Sequence, residues 1–326
     1  MEISNKLKCF FAFSSDIENN QIYIDLLIAT LESAVQNTTL DLHCIYIGSE
    51  NDNIYKILKK YNVTIYITDL PFFSKLKNVY TEEYIHKNAL GHISDLSMKA
   101  RFSRFLIPLF TQDEYVLYCD TDLIFLKDIR LEDFPPPLPK TIAVCPECEN
   151  IQFYDYFNAG VMLINIKSFA EKYKELIKML DQGQHASIEC YDQGYLNDLY
   201  KNNFEKLPLE YNWKSYWGYN DNIKILHFHG LKPNMQIKQD LPFLRPFIYD
   251  NDVYTGFYKN YELFCKYSGA DKEECFSKLK ETLSYNLKDN YIYKKIKKAR
   301  KHINALAISQ FILFIIVIYL LFKQYI

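Results

Sequence analysis

The chain has 326 residues, which is enough for one large domain or two domains of ordinary size. Its composition is that of a globular protein, with 49% hydrophobic and 24% charged residues. The formal net charge of -2 excludes the strongly basic balance of most nucleic-acid-binding proteins, so we expect no nucleic-acid partner.

The amino-terminal stretch and the cysteines bear on the compartment. The apolar run in MEISNKLKCFFAFSSD is too short for a secretory signal and lacks a small-residue cleavage site, which predicts no entry into the secretory lumen by that route. Cys9, Cys44 and Cys119 lie inside apolar segments and are predicted to be buried thiols in a reducing compartment. Cys145 and Cys148 form a lone Cys-x-x-Cys pair, for which zinc binding or redox chemistry is an alternative.

Strands and helices alternate in the first part of the chain. Apolar runs predict strands at 8–13, 42–47 and 63–67, and helical periodicity predicts helices at 22–35 and 53–61. This order predicts parallel strands joined by helical crossovers, which is the arrangement of a Rossmann-like nucleotide-binding half. No glycine-rich phosphate loop follows the first strand, so the sequence does not favour a nicotinamide or P-loop nucleotide site.

The middle of the chain adds further elements. An irregular polar segment is predicted at 71–93 and a proline-rich loop at 134–139. Helices are predicted at 95–110, from Ser168 to 182 and from about 191. Strands are predicted at 141–145, 157–165 and 223–228. The strand at 157–165 is predicted to be entered by a turn of small residues. Beyond residue 241 the chain is aromatic, charged and mostly helical in pattern, with no catalytic constellation.

A short apolar strand, Val116 to Cys119, ends in Asp120-Thr121-Asp122. Side chains alternate along an extended segment, so the two carboxylates are expected to point the same way. Such a pair repels itself unless a cation lies between the acids, and hard carboxylate oxygens suit Mg²⁺ or Mn²⁺. The end of a strand is also where open α/β sheets bind ligands. A motif that only caps a turn is the alternative.

The carboxyl end of the chain differs from the rest. Residues 305–322, ALAISQFILFIIVIYLLF, carry no charge and would span about 27 Å as a helix at 1.5 Å per residue, close to the thickness of a bilayer core. A basic run at 294–301 precedes them. We expect a helical, basic extension at 241–302 and a single transmembrane helix at 303–322, which would tail-anchor the protein with its catalytic domain facing the cytosol. The alternative is a buried core helix.

Four further segments accompany the Asp-Thr-Asp strand. They are residues 100–105 (ARFSRF), 157–161 (FNAGV), 192–197 (DQGYLN) and 227–233 (HFHGLKP). Together, in this order, the five segments resemble glycosyltransferase family 8, which includes lipopolysaccharide galactosyl- and glucosyltransferases and glycogenin. The resemblance covers about residues 8–235. It implies an α/β fold of the GT-A type, a Rossmann-like mixed sheet flanked by helices, in a domain of residues 1–240.

The resemblance also implies a role for each residue that matches a family motif. Asp120 and Asp122 match the Asp-x-Asp metal site, His227 matches the histidine that completes it, and the implied cofactor is Mn²⁺ or Mg²⁺. The implied donor-binding residues are Ala12, Ser14, Asp16, Arg104, Asp120, Thr121, Asn158, Asp192, Gly230 and Lys232. Gln193 and Asp192 are the implied catalytic residues, Gln193 near the anomeric carbon and Asp192 on the sugar hydroxyls.

Some assignments have competitors within the chain. Arg101 is the alternative to Arg104, and Asp181-Gln182 competes with Asp192-Gln193 but sits at a helix end and lacks the Leu-Asn that completes the motif. His229 should point away from His227 because strand side chains alternate, and it is expected to be structural.

The function implied is retaining, metal-dependent transfer of glucose or galactose from a UDP-sugar to a membrane-associated glycan, glycolipid or glycoprotein. No strong carboxylate nucleophile matches, so substitution on the same face of the sugar is expected, with the leaving phosphate taking the acceptor proton. The alternatives are a glycogenin-like self-glucosylating enzyme and a non-catalytic, membrane-tethered adaptor.

Overall fold

A computed structural model describes residues 6–87, 93–147, 156–188, 190–235, 237 and 251–284 of the chain. The strands are β1 (Lys8–Ser14), β2 (Asp41–Ile47), β3 (Thr64–Ile67), β4 (Tyr115–Cys119), β5 (Leu123–Phe125), β6 (Ile142–Pro146), β7 (Phe157–Asn165), β8 (Glu205–Lys206), β9 (Trp213–Lys214) and β10 (Ile225–His227). The helices are α1 (Gln21–Asn37), α2 (Asn53–Lys60), α3 (Phe73–Val79), α4 (Glu82–Lys87), α5 (Asp95–Ser103), α6 (Ile166–Asp181), α7 (Tyr191–Leu199) and α8 (Asn251–Ser268), followed by a helix over 272–284.

The strands form one large mixed sheet and one small sheet. The large sheet has the order β3-β2-β1-β4-β7-β6-β8. Its first four strands in this order run parallel, while β7 is antiparallel to both β4 and β6. In the small sheet β10 lies between β5, to which it is antiparallel, and β9, to which it is parallel. The mixed α/β, GT-A-like architecture expected from the sequence fits this topology.

Both faces of the large sheet are covered by apolar side chains. Phe10 packs into one hydrophobic cluster and its neighbour Phe11 into another, and both are buried. A strand buried on both faces needs apolar residues at successive positions, which explains the continuous apolar run in β1. Cys9, Cys44 and Cys119 are free and buried within this core, as the sequence predicts, whereas Cys148 lies outside the described residues.

The segment at 71–93 is partly helical, so the prediction of an irregular stretch was wrong. Helix α3 buries Leu76 and Val79, and helix α4 follows at 82–87. Each helix is at most two turns long, which is too short for a periodic pattern to be recognised among so many polar residues. The packing of α3 against the rest of the core stabilises what local propensity alone would not.

Three further details of the helices and strands differ from the sequence predictions. Helix α5 ends at Ser103 and continues as a 3₁₀ helix over Arg104–Leu109, because Pro108 has no N–H for an α-helical bond. The Asn-Ala-Gly residues at 158–160 lie inside strand β7 rather than in a turn before it. Helix α6 is capped by Asn165, whose side chain accepts from the Ser168 N–H, rather than by Ser168 itself.

The carboxyl-terminal helices share a core with the sheet domain. Phe257, Tyr261 and Phe264 of α8 belong to the same buried cluster as Leu26 and Ala29 of α1. Asn260 is fully buried and its Nδ2 donates to the carbonyl oxygens of Ser215 (2.8 Å) and Gly218 (3.2 Å). Helix α8 thus fixes the backbone that follows β9.

The prediction of a transmembrane helix and a tail-anchored, cytosol-facing protein is corrected. Among the helices of the described ranges none is long and apolar enough to cross a membrane. The longest, α8, has 18 residues but carries Lys259, Glu262 and Lys266, which a bilayer core does not accommodate without cost. The expected anchor at 303–322 lies outside the described residues, and we do not retain it.

The docking of α8 can be tested by removing its buried amide. Asn260→Ala leaves the Ser215 and Gly218 carbonyls without this donor, so we expect the free energy of unfolding to fall by about 1–3 kcal/mol. Urea denaturation followed by circular dichroism measures the change. The control is the exposed Asn222→Ala, which should shift stability by less than about 0.5 kcal/mol. An Asn260→Ala variant as stable as the wild type would contradict this account.

Candidate active site

The candidate site lies at the edge of the large sheet where β1 and β4 end. A cleft of about 490 Å³ opens there. It is lined by Ala12, Phe13, Ser14, Ile17, Tyr23, Ile93, Ser94, Ser97, Ala100, Arg101, Arg104, Tyr118, Asp120, Thr121, Asp122, His227, His229 and Lys232. Its wall therefore combines apolar positions from β1 with carboxylates, imidazoles and cations, a lining suited to a polar ligand of moderate size.

Asp120, Asp122 and His227 converge on one point of the cleft. One potential ligand atom from each lies within 4.8 Å of the other two, the spacing of a metal-binding cluster. The convergence follows from the small sheet, in which Leu123 of β5 pairs with His227 of β10. The Phe228 N–H also donates to the Asp122 carbonyl oxygen at 3.0 Å. This pairing brings residues more than a hundred positions apart in sequence side by side.

His227 is a neutral imidazole whose orientation is fixed. Burial lowers its pKa to about 3, although Asp122 opposes this shift. Its Nδ1 lies 2.8 Å from the Oδ1 of Asn212, so Nδ1 carries the proton and donates it to that oxygen. Its Nε2 then presents a lone pair 3.2 Å from Asp122 Oδ1. A ring held this way is prepared to bind a metal.

Asp122 supplies the observation that tests the fit of a metal. Its Oδ1 is buried and has no hydrogen bond among the described residues, although it faces the unprotonated Nε2 of His227. Two acceptor atoms this close repel each other unless a cation lies between them. Burial alone would raise the pKa of Asp122, but the Lys232 ammonium brings it well below its usual range, so the carboxylate is ionised. The residues present therefore fit a divalent cation.

Arg104 connects Asp120 of the candidate metal cluster to Asp192, the acid predicted to bind sugar hydroxyls. Its guanidinium contacts Asp120 Oδ1 at 3.2 Å and Asp192 Oδ2 at 2.9 Å, and it donates to the Ala159 carbonyl at 2.9 Å. It also stacks over the Tyr118 ring at 4.3 Å. Burial raises the pKa of Asp120, although Arg104 partly offsets this effect. The competitor Arg101 also lines the cleft, but its side chain is exposed.

Gln193 is held in place by hydrogen bonds on both sides of its amide. Its Oε1 accepts from the Ala159 N–H at 2.9 Å, and its Nε2 donates to Glu147 Oε2 at 2.9 Å. Glu147 Oε2 also accepts from Asn158 Nδ2 at 2.8 Å, and its Oε1 lies 2.9 Å from His229 Nε2. Two of the predicted site residues, Gln193 and Asn158, therefore meet on a single, partly buried carboxylate.

The other predicted donor-binding residues are placed unevenly. Ala12, Ser14, Thr121 and Lys232 line the cleft. Asp16 is exposed and accepts hydrogen bonds from Ser14, Ser94 and Ser97, the first at 2.6 Å and the last at 2.8 Å. Gly230 has a φ of 73°, the left-handed region that glycine adopts without strain. The competing Asp181 lies at the exposed end of α6, paired with Lys75.

His229 corrects one expectation. The sequence predicts that it faces away from His227, yet it lines the same cleft and lies beside Glu147. Strand β10 ends at His227, so the alternation of side chains does not continue to residue 229. Its Nδ1 is also 3.2 Å from the Tyr216 hydroxyl.

Four residues of the site were missed by the sequence analysis. They are Glu147, Gly160, Asn212 and Lys214. A Cβ at Gly160 would lie 2.5 Å from His227 Cε1 and 2.9 Å from Asp120 Oδ2, so only glycine fits there. Gly160 belongs to the FNAG segment, so the sequence motif could have identified it as a site residue. The other three carry no local signal, because their roles depend on strands that meet only in the fold.

Comparison with known proteins identifies the family. The sequence model described as Glycosyl transferase family 8 matches residues 17–236, more than half of the chain. Glycosyltransferase GlyE of Streptococcus pneumoniae serotype 4 is 33% identical over 134 residues, which cover 40% of this chain and 31% of GlyE. Glycogenin of Neurospora crassa is 28% identical over 129 residues, covering 37% of this chain and 17% of glycogenin. The aligned regions thus span less than a third of these relatives.

Solved structures agree on the fold. The apo form of GlyE superposes with a TM-score of 0.54 at 19% identity, over 86% of this chain and 64% of GlyE. The galactosyltransferase LgtC, solved in complex with donor and acceptor sugar analogs, gives a TM-score of 0.52 at 17% identity, over 82% of this chain and 98% of LgtC. Together with the family match over residues 17–236, these findings establish that the chain belongs to glycosyl transferase family 8.

Proposed function

We propose that this chain is a retaining, metal-dependent hexosyltransferase that moves glucose or galactose from a UDP-sugar to a hydroxyl group of a glycan, glycolipid or glycoprotein. The observation that carries the proposal is the convergence of Asp120, Asp122 and His227, with a buried acceptor atom left over on Asp122. The expectation of a membrane-associated acceptor depended on the carboxyl-terminal anchor, so the proposal does not include a membrane-associated acceptor.

The three ligands and the neighbouring cations suit a sugar diphosphate. A divalent cation held by Asp120, Asp122 and His227 would supply Lewis-acid stabilisation of the diphosphate leaving group. Lys232 lines the cleft, and its ammonium donates to Asp122 and, at 2.8 Å, to the Phe228 carbonyl. An ammonium has three donors, so one remains to bind a phosphate oxygen.

The residues around Gln193 favour substitution on one face of the sugar. Asp192 is buried against Arg104, and the pKa of Glu147 is about 2 because His229 outweighs the effect of burial. Both carboxylates are engaged by protein donors, and the Gln193 amide is a poor nucleophile. We therefore assign Gln193 to positioning and electrostatic stabilisation of the anomeric centre, Asp192 and Asn158 to sugar hydroxyls, and the acceptor proton to the leaving phosphate.

Replacing one metal-facing acid tests the proposal. Wild-type protein should hydrolyse UDP-glucose or UDP-galactose when Mn²⁺ is present, and Asp122→Asn should lower that rate at least about 100-fold, because a neutral amide binds the cation poorly. Release of UDP is the measurement. Asp181→Asn is the matched control, since this acid belongs to the competing Asp-Gln pair at the exposed end of α6. A wild type that neither binds UDP with Mn²⁺ nor turns over any UDP-sugar would overturn the proposal.

Gly160 offers a second test that does not remove a ligand. Gly160→Ala adds a methyl group that displaces His227 from the two acids. We expect Mn²⁺ affinity, measured by calorimetry, to fall about 10- to 100-fold, the usual effect of disturbing the groups that support a metal site.

The control for Gly160 is Gly183→Ala. Gly183 has open space around its Cβ position and a φ of 63°, so this methyl group should cost stability without changing Mn²⁺ affinity. Equal Mn²⁺ affinity of Gly160→Ala and wild type would contradict the role assigned to Gly160.

A further inference from the structure

Lys214 is a fully buried lysine directly behind the metal-facing histidine. Its side chain has no exposed surface, and Lys214 pairs with His227 in the parallel strand pair β9–β10. Its Nζ donates to Asn212 Oδ1 at 3.0 Å and lies 3.4 Å from His227 Nδ1. Lysines are rarely buried completely, because desolvating the ammonium is costly. A fully buried lysine this close to His227 therefore needs a functional explanation.

The contacts of Asn212 give that explanation. An ammonium group donates hydrogen bonds and accepts none, so the Asn212 atom that faces Lys214 must be the oxygen. The same oxygen lies 2.8 Å from His227 Nδ1, which must therefore be the donor. On its other side the Asn212 Nδ2 donates to Asn158 Oδ1 at 2.9 Å. Lys214 on the oxygen side and Asn158 on the nitrogen side thus both disfavour the flipped orientation of the amide.

The flipped amide would have a direct consequence at the metal site. It would present an NH₂ group to His227 Nδ1, which would then have to be an acceptor. The proton of the neutral ring would move to Nε2, the atom that faces Asp122 at 3.2 Å. A protonated Nε2 cannot bind a metal ion.

The backbone around Lys214 cannot easily withdraw. Asn260 of α8 holds the carbonyls of Ser215 and Gly218, and the Trp213 Nε1–H donates to the Gly218 carbonyl at 3.0 Å. The residues on both sides of Lys214 are therefore fixed, and its ammonium stays next to Asn212.

We propose that Lys214 is a positioning residue of the metal site, which orients the Asn212 amide and thereby keeps His227 in the Nδ1–H tautomer with Nε2 free for a divalent cation. The proposal rests on the metal-dependent function proposed above, and it adds a residue that does not itself touch the metal. It requires no change in the protonation of Lys214 during the reaction.

The test compares Lys214→Met with wild type in two measurements. The first is the tautomer of His227 in the metal-free full chain, read from ¹⁵N–¹H correlation spectra of ¹⁵N-histidine-labelled protein and assigned with His227→Gln. The second is Mn²⁺ affinity by calorimetry. We expect the Nδ1–H tautomer in wild type, its partial or complete replacement by the Nε2–H tautomer in Lys214→Met, and an Mn²⁺ affinity about 10- to 100-fold weaker.

The matched control is Lys224→Met. Lys224 is also partly buried in this region and bonds the Tyr211 hydroxyl at 2.9 Å, one residue from Asn212, but it does not contact His227. It should leave both the tautomer and the Mn²⁺ affinity unchanged. A general loss of packing would affect both variants, whereas a role in orienting Asn212 affects Lys214→Met alone.

The outcomes separate this proposal from the proposed function. If Lys214→Met keeps the Nδ1–H tautomer and the wild-type Mn²⁺ affinity, the role of Lys214 is overturned. An Nε2–H tautomer in the metal-free wild type also overturns it, and this measurement does not depend on whether the variant folds. Wild-type protein that binds no Mn²⁺ while showing the expected tautomers refutes the metal-dependent function and leaves the orientation of Asn212 by Lys214 supported.

Discussion

The pairing of β5 with β10 is the interaction on which the site depends. It joins the strand after the Asp-Thr-Asp segment to the strand that ends in His227, and it does so through backbone hydrogen bonds between segments about a hundred residues apart. Without this pairing the carboxylates would still cluster at the end of β4, but no imidazole would reach them. The small sheet is therefore the part of the fold that brings an imidazole to an acidic strand end and completes the Asp120, Asp122 and His227 cluster.

Bringing acids together at one sheet edge creates an electrostatic constraint. Asp120 and Asp122 line the cleft, and two further carboxylates, of Glu147 and Asp192, contact its lining residues His229 and Arg104. Each is paired with a basic side chain of the same region, and the paired groups are Arg104, Lys232 and His229. Asp122 Oδ1 is buried and accepts no hydrogen bond from the part of the chain that the structure describes, which agrees with a role in binding a cation.

The site is also supported from behind. Asn212 and Lys214, just before and within β9, lie against His227, and α8 holds the backbone that follows β9 through a buried amide. Helix α8 lies beyond the residues matched by the family model, yet it shares a hydrophobic cluster with α1. The carboxyl-terminal helices thus contribute to the shape of the catalytic region rather than forming a separate body.

The sequence by itself determined the alternation of strands and helices, the Asp-Thr-Asp end of a buried strand and, through five short segments, the family. These features are local, since the period of apolar residues and the chemistry of a strand end can be read within a few positions. The tertiary structure decided what local patterns cannot contain. In the fold, Glu147 of the Cys-x-x-Cys segment contacts Gln193, and His229 lies in the cleft because β10 ends before it. Lys214 is buried behind His227. The tertiary structure also gave no described helix capable of crossing a membrane. These outcomes depend on which strands pair and in which register, and that choice is made by the packing of the whole core.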